Sequence, residues 1–300
     1  MDTDFDELLS ALHHPVGPVT SEPVCARPGH GAGHACLELP DGLDLEAFAD
    51  AVSGRFGSAR RLDPATATAR TGLPLVEPFG DRLAGMRVWA YARRWIGCGT
   101  VRTDEGGIRP VVLVAERADP AADPLPADAD WVDRVVAVTG WDPARARTVD
   151  WEAVETRLGT ALPSDYKRLA ELFGRGGFDG YLSMIVPGGR SEDLVQHTEW
   201  LAHFAATRGN GLWEPYKLFP ARGGLLEWAN TEHETQFYWL TEGRDPDLWP
   251  IITMEDDRAT TRFDCSTAEL IFRMLTESNQ PFSMAGYSGT HWFMGYGDDE

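Results

Sequence analysis

The spacing of apolar residues separates an irregular start from two patterned stretches. Up to residue 33, Pro15, Gly17, Pro18, Pro23, Pro28 and Gly29 interrupt every period, so residues 1–33 are expected to form a flexible arm. A short strand is expected at residues 34–39, stopped by Pro40-Asp41-Gly42. Asp44 then precedes Leu45, Phe48, Ala49 and Val52 at helical spacing, with Gly54 or Gly57 as the stop. Residues 63–85 are rich in turn formers. Strands are expected over residues 87–95, 99–103 and 108–116, the last two joined by Asp104-Glu105-Gly106-Gly107. Residues 34–130 therefore read as a small α/β domain with an antiparallel sheet.

A stretch rich in proline and alanine, residues 118–130, has the composition of a linker. After a short helical or linking segment at 131–149, the signals sharpen. Trp151, Val154 and Leu158 share a helical face that Gly159 ends. Pro163 suits the first turn of a second helix, in which Tyr166, Leu169, Ala170 and Phe173 form one apolar stripe before Gly174. A strand is expected over 178–186 and a helix over 191–208, with Leu194, Leu201 and Phe204 apolar. An antiparallel meander follows at 225–229, 235–240, 251–254 and 260–263. Ser266, with Glu269 three residues later, opens a final helix as a capping box. The class is α+β, with the helices of the second half expected on one side of a mainly antiparallel sheet.

Composition changes this picture in one respect. Against 27 Lys and Arg stand 47 Asp and Glu, a formal net charge of −20. Such a chain repels nucleic acid and anionic membranes and favours basic partners. The residues around Met1 are acidic where a secretory leader is basic, and no apolar run nears the ~20 residues of a membrane helix. The four cysteines are scattered. A cytoplasmic protein with reduced thiols is expected.

Chemistry-bearing motifs are few. Cys25, His30, His34 and Cys36 are metal-capable, but their spacing matches no zinc pattern, and no metal or cofactor is assigned. His233-Glu234 fails the zinc-protease motif because Phe237 stands where the second histidine belongs. Gly174-Arg175-Gly176-Gly177 lacks the lysine and hydroxyl of a phosphate loop, and no nucleophile elbow is present. Cys98, between two glycines, reads as a small packed residue in a hairpin. The aromatic tail, Phe282, Tyr287, Trp292, Phe293 and Tyr296, is expected to fold back over the sheet rather than stay exposed.

One set of features resembles a known family. A helix carrying Trp151, Glu155 and Leu158 leads into Leu162-Pro163-Ser164-Asp165-Tyr166-Lys167. Phe173-Gly174-Arg175-Gly176-Gly177-Phe178 then turns into Tyr181-Leu182-Ser183-Met184. Pro187, a helix, the meander through Phe263 and a closing helix to Leu275 complete the order. Residues 150–280 thereby resemble the SUKH superfamily, which includes the yeast cell-wall-assembly-regulator-like domains, and residues 131–300 are expected to form a SUKH-like domain. The resemblance implies a non-catalytic binding protein, a bacterial immunity protein that neutralises a toxin by occlusion. Its partner would be a basic toxin domain, engaged by acidic loops at Glu232, Glu234, Glu242, Asp245, Asp247, Glu255, Asp256 and Asp257. The alternatives are a regulatory or scaffolding module that bridges two proteins, and a metal-dependent or enzymatic role for the N-terminal half.

Overall fold

The computed structural model describes residues 12, 33–65, 67, 72–122, 125, 127–188, 193–256, 258–287 and 289–296. The expected arm, with Cys25 and His30, lies outside them except for Leu12 and Gly33. The described residues form an α+β protein with two antiparallel sheets. The chain divides into two compact units, residues 1–123 with 289–294, and residues 124–288 with 295–300.

In the first unit β1 (His34–Cys36), β2 (Arg60–Leu62), β3 (Leu83–Tyr91), β4 (Arg94–Arg102) and β5 (Ile108–Glu116) form a sheet of order β1-β5-β4-β3-β2. Helix α1 (Leu45–Phe56) starts where the Asp44 carboxylate accepts from the Glu46 and Ala47 amides, which satisfies two orphan donors. It packs Phe48 and Val52 against Trp89, Ile96, Val112 and Val114. The short helix α2 (Leu73–Val76) packs Leu75 and Val76 with Val88, Trp95, Val111 and Leu113, a second core. Val111 to Ala115 thus alternate between two cores, which is why this strand is apolar without a break.

The expected turn between residues 95 and 99 is not there. Gly97, Cys98 and Gly99 lie inside β4, and the chain reverses earlier, at Ala92 with φ 47°. The glycines serve close packing: a Cβ on Gly97 would meet the Met86 sulfur at 2.7 Å, and one on Gly99 would meet the Gly85 carbonyl oxygen. The expected single strand at 178–186 is likewise a hairpin, β6 (Gly176–Phe178) and β7 (Leu182–Met184). Asp179 and Gly180, the central pair of the turn closed by the Tyr181 amide donating to the Phe178 carbonyl, both have positive φ, 53° and 69°, which suits the twist of a hairpin.

In the second unit β6 and β7 join β8 (Leu225–Thr231), β9 (Gln236–Leu240), β10 (Ile251–Met254) and β11 (Thr260–Phe263) in the order β11-β10-β9-β8-β7-β6. The helices are α3 (Trp131–Thr139), α4 (Trp151–Leu158), α5 (Ser164–Phe173), α6 (Leu194–Arg208) and α7 (Thr267–Thr276). They do not share one side of the sheet. Tyr166 of α5 packs edge-on against Trp239, and Thr267 of α7 accepts from the Trp239 indole. Leu201 of α6 instead packs with Leu225, Tyr238, Ile252 and Met254. Neighbouring residues 238 and 239 point to opposite faces, so α6 lies across the sheet from α5 and α7. The final helix begins as expected, with Ser266 accepting from the Glu269 amide. Of the tail aromatics, Trp292 and Phe293 are buried, whereas Tyr287 is 91% exposed.

Two glycine substitutions test this packing. Gly99→Ala should destabilise the first unit by about 1–3 kcal/mol through overpacking. Gly54→Ala, inside α1 with open space where the Cβ would go, should stabilise by about 0.5–1 kcal/mol. Urea unfolding followed by circular dichroism reads both; equal effects would contradict the packing described for Gly99.

Candidate functional site

The second unit carries a groove of about 380 Å³ between α6 and the sheet. One wall comes from helical spacing. His197, Trp200, Leu201 and Phe204 fall at i, i+3, i+4 and i+7 of α6, hence on one face. Their rings form a ladder: His197 stacks on Trp200 with centroids 6.3 Å apart, Trp200 lies 5.6 Å from Phe204, and Phe204 meets Trp213 edge-on at 6.1 Å. Trp200 is 58% exposed and Leu212, on the loop after α6, 48% exposed. The other wall is the sheet face that carries Glu227, Tyr238 and Met254. Glu255, Asp256 and Arg258 of the β10–β11 turn border it.

At the floor lies a buried carboxylate. Glu227 of β8 sits directly across from Tyr238 of β9 in the antiparallel register. The Glu227 carboxylate is 3.0 Å from His197 Nε2, and Tyr238 stands beside it on the same sheet face. Tyr238 in turn accepts from the Trp213 indole N–H at 3.2 Å. Loop, sheet and helix therefore meet around one carboxylate. Burial first, then the adjacent Glu227 charge, raise the Tyr238 phenol above its ordinary value. Tyr238 therefore keeps its proton at neutral pH. A buried carboxylate with a partner at hydrogen-bond distance is held in place rather than left as an uncompensated charge.

The expected acidic residues are not gathered on one surface. Antiparallel pairing puts the β8–β9 and β10–β11 turns at one end of the sheet and the β9–β10 loop at the other. Glu255 and Asp256 border the groove, and Glu232 lines a separate cavity at the same end. Glu234 occupies the β8–β9 turn with φ 63°. Glu242, Asp245 and Asp247 lie at the opposite end, where each has a local task. Glu242 pairs with Arg262 at 2.9 Å, Asp245 accepts from the Asp247 amide, and Asp247 accepts from the Ser164 amide at the start of α5. Asp257 lies outside the described residues.

His197, Trp200, Glu227 and Tyr238 carry the groove, yet none was singled out from sequence. The available signal is Glu227 itself, a charged residue in the run Leu225-Leu226-Glu227-Trp228-Ala229, all of it buried. A buried charge carries information that an exposed one does not.

In the first unit, His34 and Cys36 stand on β1, His34 buried and Cys36 half-buried. Among the described residues no group of three or more His, Cys, Asp or Glu is arranged to hold a metal ion. Cys98 reaches a depression of about 420 Å³ beside Arg87. Burial nevertheless pushes its thiol up to about 12, with Arg87 acting weakly in the other direction. Among the described residues no helix is long and apolar enough to cross a membrane.

No family model matches the chain, and neither a curated protein nor a solved structure matches it.

Two measurements follow from this chemistry. Glu227→Leu should cost about 1–3 kcal/mol, since it leaves the half-buried His197 without its acceptor, and Glu227→Gln should cost less. Thiol labelling at pH 8, mapped by mass spectrometry, should leave Cys98 and Cys265 unmodified in the folded protein. Burial pushes Cys265 up to about 12 as well, so each is ionised to roughly one part in ten thousand there. Labelling of either at the rate of a free thiol would contradict that burial.

Proposed function

We propose that the protein is a cytoplasmic, non-catalytic binding protein of SUKH-like character that neutralises a basic toxin domain by occluding it. The observation that carries this is the groove: exposed Trp200 and Leu212 beside the acids Glu255 and Asp256, on a chain of net charge −20. An exposed tryptophan next to rigid apolar surface is the residue type on which binding energy concentrates. Acids at the border steer a basic partner and raise its association rate more than they add affinity. The order of elements from α4 through α7, with the β6–β7 hairpin and the meander between them, supports the resemblance read from residues 150–280. The mechanism is steric: the partner's functional surface is covered, and no bond is made or broken.

A second reading, a module that bridges two partners, is favoured by the division into two units, each with its own core.

The experiment is rescue. Each protein encoded beside this gene is expressed together with it, and growth and complex formation are measured. The intact chain should restore growth and co-elute with the toxin at one to one. Trp200→Ala should weaken the complex by about tenfold or more, the loss expected of a central aromatic anchor. Reversing Glu255 and Asp256 to lysine should slow association and flatten its salt dependence. A complex that forms unchanged in both variants would exclude the groove, and a neighbouring gene product that never binds would exclude neutralisation.

A further inference from the structure

A second cavity of the same unit, about 410 Å³, is built from different residues and has different chemistry. It lies where the β6–β7 turn, the β8–β9 turn and the segment after α7 meet. Four rings line it: Tyr181, His233, Phe282 and Tyr287. The carboxylates of Asp179 and Glu232 line it as well, and the residues lining it include no lysine or arginine. Tyr181 and His233 meet edge to face at 5.7 Å, and Phe282 is held from behind by Phe237 at 5.6 Å. Tyr287 is fixed by a turn, its amide donating to the Met284 carbonyl at 3.0 Å, yet its side chain is 91% exposed.

The backbone here is strained. Asp179 and Phe282 both have positive φ, 53° and 62°. Aspartate tolerates that region in a tight turn; a bulky ring does not, and its presence there needs a compensating role. Burial raises the Tyr181 phenol. A hydrogen bond with Thr231 works against that rise, and the neighbouring Glu232, Tyr287 and Glu255 add to it.

Ring faces carry negative potential, and carboxylates beside them add full negative charge. A cavity that offers both, without a lysine or arginine in its lining, is complementary to a cation that is too large and too weakly hydrated to prefer water. A metal ion would need several oxygen ligands converging at about 2–2.6 Å, which rings do not supply. We infer that the cavity lined by Tyr181, His233, Phe282 and Tyr287 binds an alkylated ammonium group, with Glu232 balancing its charge. The group is either a free quaternary amine or a methylated lysine side chain, since both present the same face to the rings. The site shares no lining residue with the groove beside α6, so either can fail without the other.

Calorimetric titration of the full-length protein at constant ionic strength tests the site, with choline, trimethyl-lysine amide and dimethylbutanol, the neutral isostere of choline, as probes. Choline or the lysine derivative should bind saturably, and dimethylbutanol should bind at least about tenfold more weakly, since it lacks the charge that the rings and carboxylates recognise. Binding of both cations, or tighter binding of the lysine derivative, supports a protein-borne group as the source; binding of choline alone supports a free amine. Tyr287→Ala should weaken binding by about threefold to tenfold, whereas Tyr287→Phe, which keeps the ring, should not. Because Tyr287 is exposed, neither change threatens folding. Glu232→Gln should weaken both cations and leave the neutral isostere unaffected. Equal binding of choline and dimethylbutanol, no saturable heat with either cation, or indifference to Tyr287→Ala would each overturn the proposal.

Discussion

A pleated strand sends neighbouring side chains to opposite faces, and the second unit depends on how β8 and β9 use that rule. On one face Trp228 and Trp239 stack with centroids 5.8 Å apart, and Phe237 meets Trp228 edge-on. On the other face Glu227 and Tyr238 stand opposite each other. The first face is sealed by α5, whose Tyr166 is fully buried with its ring on Trp239 and its hydroxyl donating to the Ile185 carbonyl at 2.6 Å. A register slip of one residue would bury Glu227 among the tryptophans and expose Trp239. The cost of that exchange keeps the polar pair on the α6 side, and the groove exists because the register cannot move.

Charge plays two roles in this chain. Part of it is spent on helix ends. Pro163 cannot cap α5 with a side chain, and the Ser164 amide is taken instead by Asp247 from a distant loop at 2.5 Å. Asp165 of α5 accepts from the Ala268 amide at the start of α7, 2.7 Å away. Glu155 accepts from the Leu162 amide and pairs with Lys167, both at 2.9 Å. Leu162-Pro163-Ser164-Asp165-Tyr166-Lys167 is therefore a structural joint in which each polar residue satisfies a backbone or charged group on a neighbouring element. Acids tied up in this way are poor candidates for partner contact, because release would leave helix donors unpaired. Asp256, by contrast, is exposed at the border of the groove.

The legible parts of the sequence were those whose signals are local. The α7 capping box, the Asp44 cap and strands β5, β10 and β11 follow from spacing and composition within a few residues. The misread parts are those where one residue type serves two purposes. Glycine marks turns, but Gly97 and Gly99 are inside a strand because another backbone passes close to them. Asp179-Gly180 was absorbed into an apolar run, although that pair is the strongest two-residue hairpin signal in the segment. The groove was not legible for a different reason. His197, Glu227 and Tyr238 are separated by 30 and 11 positions, and only strand register and the placement of α6 across the sheet bring them together.

Buried polar pairs are seldom the cheapest way to stabilise a sheet. What Glu227 adds is fixed geometry. Through His197 it sets the ring against which Trp200 stacks, and opposite it Tyr238 holds Trp213, which in turn meets Phe204. The exposed indole of Trp200 is thus braced at both ends by a network anchored in the sheet. An aromatic side chain held in one orientation before contact loses less entropy on contact than a free one. The hidden carboxylate and the exposed tryptophan are parts of one device, in which the stability given up in the floor returns as preorganisation at the surface.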